Sequence, residues 1–447
     1  MTSRTLPAAL AVLALTGCGQ WQRTGSDRAP TPEQTLSSVL DLTTAYRRMG
    51  RLAAGGALPF VGTVAFTAGP GDSVKAILGV SLENRALMFQ KDGATYVARY
   101  HIAMSLAPVG APPVELGRDE EVRVTDFKET LRSDESILFQ QVFHLTPGSY
   151  HVAVSIRDRT SGTTTQAEGE FVAPAFGPGS VTAPILAYQV TGRRERSQDL
   201  EVVLSPRGSV AFGGDTLLAL VEGYDFPRPT TVPVEVLDEQ DSVVHRDSLH
   251  FEGQSPVEAR VIRLAPETQP LGELRLAVGT GTGRRETSAL VSFSTQWIIT
   301  NYDDMLNLLR FFGHDDKLAA LRDAPDEERP ALWREFYKAV DPVPITPENE
   351  ALDQYFARVA VANQRFRDEG IPGWRTDRGE VFISLGDPDQ IIDASSTAQG
   401  RVIQWEYIQM RLTIYFWDES GFGRFRMTPE SRSEFDRVLA RVRRQAP

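Results

Sequence analysis

Residues 371–390 read Ile371-Pro-Gly-Trp-Arg-Thr-Asp-Arg-Gly-Glu-Val-Phe-Ile-Ser-Leu-Gly-Asp-Pro-Asp-Gln390. Pro372 blocks helix continuation and Gly373 permits an unusual backbone, so the chain must change direction here. Trp374 at such a corner reads as an anchor burying a large apolar area against a neighbouring helix or sheet. Thr376 and Asp377 can accept hydrogen bonds from backbone N–H groups and close a turn through Arg378-Gly379. The run Glu380–Leu385 then reads as a short strand, closed by a second turn at Gly386-Asp-Pro388-Asp389. The stretch therefore points to a corner, an apolar plug and two turns, with carboxylates close enough together to raise the question of a site.

Outward from this segment the periodicity is first helical. Thr346-Pro347-Glu348 is a helix-start signature, and Leu352, Tyr355, Phe356, Val359, Ala362 and Phe366 follow on one stripe until Gly370 supplies a stop. Further helices are expected from Asp303 or Asp304 and over about 325–340. A final one begins at Thr428-Pro429-Glu430 and carries Phe435, Val438, Leu439 and Val442. Strands are expected around 402–408 and 411–417. Residues 298–447 thus read as a helix-rich α+β domain with a small antiparallel sheet.

Upstream the period changes to two. Tyr96, Ala98, Tyr100, Ile102, Met104 and Leu106 alternate as in a half-buried strand, and residues 58–175 read as one β-sandwich. Leu145-Thr-Pro-Gly-Ser-Tyr150 resembles the tyrosine corner of immunoglobulin-like sandwiches. Pro174–Pro184, rich in Gly, Pro and Ala, reads as a linker. Residues 184–297 read as a second sandwich of similar length, with strands expected at 200–204, 216–224, 231–237, 257–264, 271–278 and 288–294. Three units of ordinary size fit the 447 residues.

The N-terminus carries a different signal. Arg4 and the apolar Leu6–Leu15 make a short leader, and Leu15-Thr-Gly-Cys18 resembles a bacterial lipobox. The expectation is a lipoprotein signal peptide over 1–17, lipidation of Cys18, a tether over 18–31 and an N-terminal helix segment over 32–57, whose helix carries Leu36, Val39, Leu40, Thr43 and Tyr46 and ends near Gly50. Gly19 after the cysteine suggests sorting to the outer membrane of a diderm bacterium, with periplasmic or surface-exposed domains. Cys18 is the single cysteine of the chain, so no intrachain disulfide is expected. A net charge of −12 argues against a nucleic-acid partner, because phosphate binding needs a basic face.

Gly373-Trp374-Arg375-Thr376-Asp377 carries the G-W-x-T-D string of the GWxTD domain family of bacterial envelope proteins, which this chain resembles. The likeness extends upstream to Trp333-Arg-Glu-Phe336 and Asp341–Glu350, and downstream through Arg378-Gly379, Gly386, Pro388, Trp405 and Tyr407. It covers roughly the last 150 residues and implies an envelope location, with no reaction attached. Leu385-Gly-Asp-Pro388 leading into Trp405, Tyr407 and Leu412–Phe416 is also similar to a small lipoprotein of the β-barrel assembly machinery, a likeness of fold alone.

His101, His144, His151, His245, His250 and His314 form no metal-ligating spacing, and His245 and His250 read as flanking an exposed turn. Asp387, Asp389 and Asp393 invite a calcium reading, but Ile392 stands where the loop needs glycine and Ala398 where it needs glutamate. Gly69-Pro-Gly71 and Gly279–Gly283 open no helix and read as hairpin turns, and Asp303-Asp304 and Asp315-Asp316 sit at helix starts, where the macrodipole favours them. The expected function is a lipid-anchored, non-catalytic binding or scaffolding component with an envelope protein partner and no cofactor or metal. The alternatives are a hydrolase or metal-dependent enzyme acting on envelope polymers, and an accessory factor in outer-membrane protein assembly.

Overall fold

A computed structural model of the chain describes residues 42–132, 135, 137–294, 297–344, 349–367, 371–393 and 401–445. Cys18, the leader and the tether lie outside the described residues, as do Leu36, Val39, Leu40, Thr346, Gly370 and Ala398. The first described element is helix α1 (Leu42–Arg48), with Ala45 and Tyr46 buried. The helix ends close to Gly50, as its sequence pattern predicts. Gly50 adopts φ +76°, which breaks the turn, and Leu52–Ala54 enters a sheet as strand β1.

The first sandwich follows with β2 (Phe60–Ala68), β3 (Val74–Leu82), β4 (Gln90–Asp92), β5 (Thr95–Pro108), β6 (Val114–Val124), β7 (Ile137–Leu145), β8 (Gly148–Asp158) and β9 (Thr164–Ala173). One sheet runs β1-β2-β3-β7; the other runs β4-β5-β8-β9, with β6 also paired to β5. Alternation in β5 buries Ala98, Tyr100, Ile102, Met104 and Leu106 against Leu78, Val80 and Leu82 of the facing sheet. The tyrosine corner is present: the Tyr150 hydroxyl donates to the Thr146 carbonyl at 2.9 Å. Gly69-Pro-Gly71 makes the tight β2–β3 turn, closed by the Gly69 N–H on the Ser73 carbonyl.

The second sandwich contains β10 (Ile185–Thr191), β11 (Glu201–Leu204), β12 (Ser209–Ala211), β13 (Leu217–Tyr224), β14 (Thr230–Leu237), β15 (Val243–Phe251), β16 (Val257–Leu264), β17 (Gly272–Val278) and β18 (Arg285–Ser292). Its sheets run β11-β10-β13-β16 and β12-β18-β17-β14-β15. His245 and His250 do not flank a turn. Both lie on β15, which pairs with β14 along its length because Val232, Val234 and Val236 alternate into the core opposite it. Gly279–Gly283 is the β17–β18 connection.

Residues 174–184 are not a free linker. Phe176 stacks on Tyr224 with ring centroids 5.0 Å apart, Thr182 is buried, and Val181 bridges to Gly223. The two sandwiches are welded by β3, which is buried at all nine positions. Val74, Ala76, Leu78, Val80 and Leu82 face their own core. Ile77 packs with Ile185, Leu204 and Leu220 of the second sandwich, and the Lys75 ammonium donates to the Gln198 carbonyl. A Cβ on Gly79 would stand 3.0 Å from the Leu204 side chain, so glycine sets how closely the sheets approach.

Beyond β18 come α2 (Tyr302–Leu308), α3 (Asp315–Asp323), α4 (Arg329–Ala339), α5 (Glu350–Arg365), α6 (Asp377–Leu385) and α7 (Pro429–Gln445). A sheet of β19 (Gln390–Asp393), β20 (Arg401–Tyr407), β21 (Leu412–Asp418) and β22 (Arg426–Met427) is antiparallel throughout. Asn301 and Asn349 cap α2 and α5 through their side chains. The expected boundary near residue 298 is not a break in packing: Phe293 of the second sandwich stacks on Trp333 of α4 at 4.9 Å, and one apolar cluster runs from Val181 to Val438.

Candidate functional site

The segment from Gly373 to Gly386 sits where α5, α6, α7 and the small sheet meet. Gly373 and Trp374 form a single 3-10 turn laid on the C-terminal end of α5. A Cβ on Gly373 would overlap the Ala362 carbonyl oxygen and reach 2.8 Å from that of Asn363, so no other residue fits there. Trp374 is buried, with the guanidinium of Arg310 at 4.6 Å and that of Arg375 at 4.9 Å from the ring centroid. Two cations therefore stack on one indole. Burial, and then the neighbouring Arg375, lower the Arg310 pKa from its ordinary value.

Residues 380–385 are helix, not strand. The Thr376 hydroxyl donates to the Gly373 carbonyl at 2.7 Å and accepts the Gly379 N–H at 3.0 Å, which makes it the N-cap of α6. Asp377 and Glu380 occupy the positive end of the helix. Val381, Phe382 and Ile383 resemble a strand in composition, but all three are buried in the domain core, and that packing overrides their β preference. Substituting Thr376→Ala is expected to destabilise the domain by about 1–2 kcal/mol, read as a shift in urea midpoint.

Asp377 has a long-range task. Its Oδ2 accepts the Met427 N–H at 2.7 Å, and its Oδ1 lies 3.5 Å from Arg432 of α7. Arg432 also pairs with Glu380 at 2.8 Å. One arginine thus ties both acids of the α6 start to α7. The Arg378 guanidinium stacks on Phe425 at 4.4 Å and on Phe366 at 5.6 Å.

The second turn is equally committed to the fold. Gly386, at φ +85°, ends α6, and its carbonyl accepts the Tyr407 hydroxyl at 3.0 Å. Pro388 is half-buried behind it. Asp387 pairs with Arg365 at 2.6 Å, and Asp389 accepts the Ile408 N–H at 2.7 Å. Trp405 is buried between Phe366 at 5.3 Å and Phe416 at 4.9 Å. Asp387 and Asp389 are therefore drawn apart onto different partners. Among the described residues no three His, Cys, Asp or Glu side chains are grouped to hold a metal ion.

Asp418 closes the β21–β22 hairpin. Burial alone would push its carboxyl up, but the Gly423 N–H, the Ser420 hydroxyl and the Gly421 N–H hold it below the usual carboxylate range. A lowered folded-state pKa contributes stability above about pH 4, the ordinary value, and loses it as pH falls through the lower one. Asp418→Asn is accordingly expected to be less stable than the parent at pH 7. The gap should close as pH drops below about 4, as urea midpoints across pH would report.

The structure also opens a cleft that sequence reading missed. It has a volume of about 660 Å³ and lies between the edge segment Ser209–Asp215 and helix α4. Tyr188, Trp333 and Tyr337 line it, with Arg334 and Lys338 at its rim. The Arg334 Nε donates to the Gly213 carbonyl at 2.6 Å, fixing one wall to the other. The helix over about 325–340 was visible in sequence. The strand edge opposite it, more than a hundred residues earlier, was not.

No curated protein matches the chain. Among solved structures it resembles trypsin-activated alpha-2-macroglobulin from Escherichia coli at 12% identity, covering 53% of this chain and 17% of that one, with a TM-score of 0.19. The native conformation of the E. coli protein matches at 13% identity over 52% of this chain and 16% of that one, with a TM-score of 0.18. The chain therefore spans about a sixth of those proteins. Residues 277–425 match the GWxTD domain, a span that starts within β17, contains the whole corner and ends at Phe425 of the β21–β22 hairpin: this chain carries a GWxTD domain built directly onto its second sandwich.

Proposed function

We propose that this protein is a lipid-anchored component of a diderm cell envelope that binds or scaffolds another envelope protein at the outer membrane, without catalysis. The observation that carries the reading is how Asp377 is used. The acid of the motif most suited to chemistry is committed to the Met427 N–H and Arg432, fifty and more residues away. Thr376, Gly379 and Tyr407 are likewise engaged in turns and caps. The open place for a partner is instead the aromatic cleft between Ser209–Asp215 and α4, whose Tyr and Trp side chains are of the kind enriched at interfaces. The Leu15–Cys18 lipobox supports the membrane attachment, each buried CH₂ of the acyl chains contributing about 0.8 kcal/mol.

A photo-crosslinker placed at Lys338 in living cells tests the binding half of this reading. One reproducible protein adduct is expected there, and none from a crosslinker at the distant, exposed Glu252. Absence of any adduct at Lys338, or the same adducts from both positions, would contradict it. Cys18→Ser is expected to abolish metabolic labelling of the protein with palmitate; undiminished labelling would remove the anchor.

A further inference from the structure

The β21–β22 hairpin holds a phenylalanine out into solvent by deliberate construction. Phe422 is 82% exposed, between Gly421 at φ +73° and Gly423 at φ +90°. Beneath it the fully buried Asp418 gathers the Gly421 and Gly423 N–H groups and the Ser420 hydroxyl, so the turn is fixed. Unlike the carboxylates of the corner, this network serves only to shape the tip. Exposed Trp417 stands directly behind it, paired across the strands with Arg426, and exposed Tyr415 follows on the same face of the sheet.

The surroundings are basic. Arg378 and Arg401 lie 4.4 and 5.5 Å from the Phe425 ring centroid at the base of the hairpin, and Arg424 is exposed beside the tip. The hairpin from Asp418 to Arg426 carries the buried Asp418 and the exposed Glu419 beside Arg424 and Arg426, so with Arg378 and Arg401 at Phe425 four arginines stand with two carboxylates. A protruding aromatic, Trp and Tyr on one flank and guanidinium groups around them match the chemistry of an anionic bilayer surface. The apolar tip enters the acyl boundary, Trp and Tyr sit at headgroup level and arginine meets phosphate.

We infer that the Phe422 hairpin is a membrane-contact element that docks the C-terminal domain on an anionic lipid surface. A second copy of the chain is the rival occupant, but the same basic patch would face itself in a symmetric dimer and repel. The inference goes beyond the proposed function and does not rest on the lipid anchor or on the cleft.

Its test uses residues 18–447 with Cys18→Ser, so that no acyl chain is attached and every described residue is kept. Flotation is measured with vesicles of phosphatidylcholine alone and with vesicles containing phosphatidylglycerol. Binding is expected only to the second kind. Phe422→Ser and Arg424→Glu should each weaken it about tenfold. Val109→Ser should leave it unchanged, although Val109 is also 82% exposed at a hairpin tip, in the first sandwich. Equal binding to both vesicles, no binding to either, or full binding by Phe422→Ser would each overturn the inference. So would a dimer in solution that Phe422→Ser dissociates, which would assign the tip to a second copy.

Discussion

Gly379→Ala is expected to destabilise the C-terminal domain by about 3 kcal/mol, although the same exchange inside an exposed helix stabilises by about 1 kcal/mol. The reversal follows from where α6 lies. A Cβ on Gly379 would overlap the Gly373 carbonyl oxygen and come 3.0 Å from the Trp374 Cα. Both obstacles are backbone, and that backbone is itself held against the carbonyls of α5, so nothing can rotate aside. Relief would require α6 to lift off the 3-10 turn, breaking the Thr376 cap and exposing part of Trp374. Five of the six tryptophans lie at or beyond Trp297, so intrinsic fluorescence during urea unfolding reads this domain selectively. An unchanged or raised midpoint would contradict the close approach.

Arg193→Met is expected to cost about 3–5 kcal/mol, the usual penalty for leaving one half of a buried ion pair without its partner. Arg193 and Glu222 are essentially fully buried, with paired contacts of 2.8 and 2.9 Å. The same guanidinium donates to the Ala68 carbonyl of the first sandwich at 2.7 Å, and Tyr224 joins Glu222 to the Ala68 N–H. One network therefore satisfies β13 and seals the two sandwiches together. The single variant should unfold at lower urea and become sensitive to protease between residues 174 and 184. The double variant Arg193→Met/Glu222→Leu should recover most of the loss, because it removes both charges. If the double variant is no more stable than the single one, the penalty comes from packing rather than from an orphaned carboxylate.

These interactions mark the limits of sequence reading. The sandwiches were legible because alternation in segments such as Tyr96–Leu106 is a local property of one face against solvent. The same rule fails for β3, buried on both faces, because its second partner lies in another unit. The corner was legible in part. Pro372, Gly373 and Trp374 announce a bend and an anchor, whereas Val381-Phe-Ile383 reads as strand unless Thr376 is recognised as a cap with Asp377 in the first turn behind it. That signal was present and outweighed by β-branched composition. The partners of Asp377 were not legible at all, since Met427 and Arg432 reach it only after the small sheet has folded back. The Pro174–Pro184 stretch misled for a related reason: a linker-like composition says nothing about whether neighbours cover it.

The central claim is that the Gly373–Asp377 corner holds the fold while the partner is met elsewhere. Asp377→Ala tests it most directly, with the fluorescence-detected melting midpoint and the Lys338 crosslink measured on the same variant. The lost charge-assisted hydrogen bond is expected to lower stability by about 1.5–3 kcal/mol, a drop of several degrees in midpoint. Below that midpoint the yield of the Lys338 adduct should match the parent. An unchanged midpoint together with loss of the adduct, or of any hydrolytic activity found in the purified protein, would place Asp377 in a working site and contradict the account.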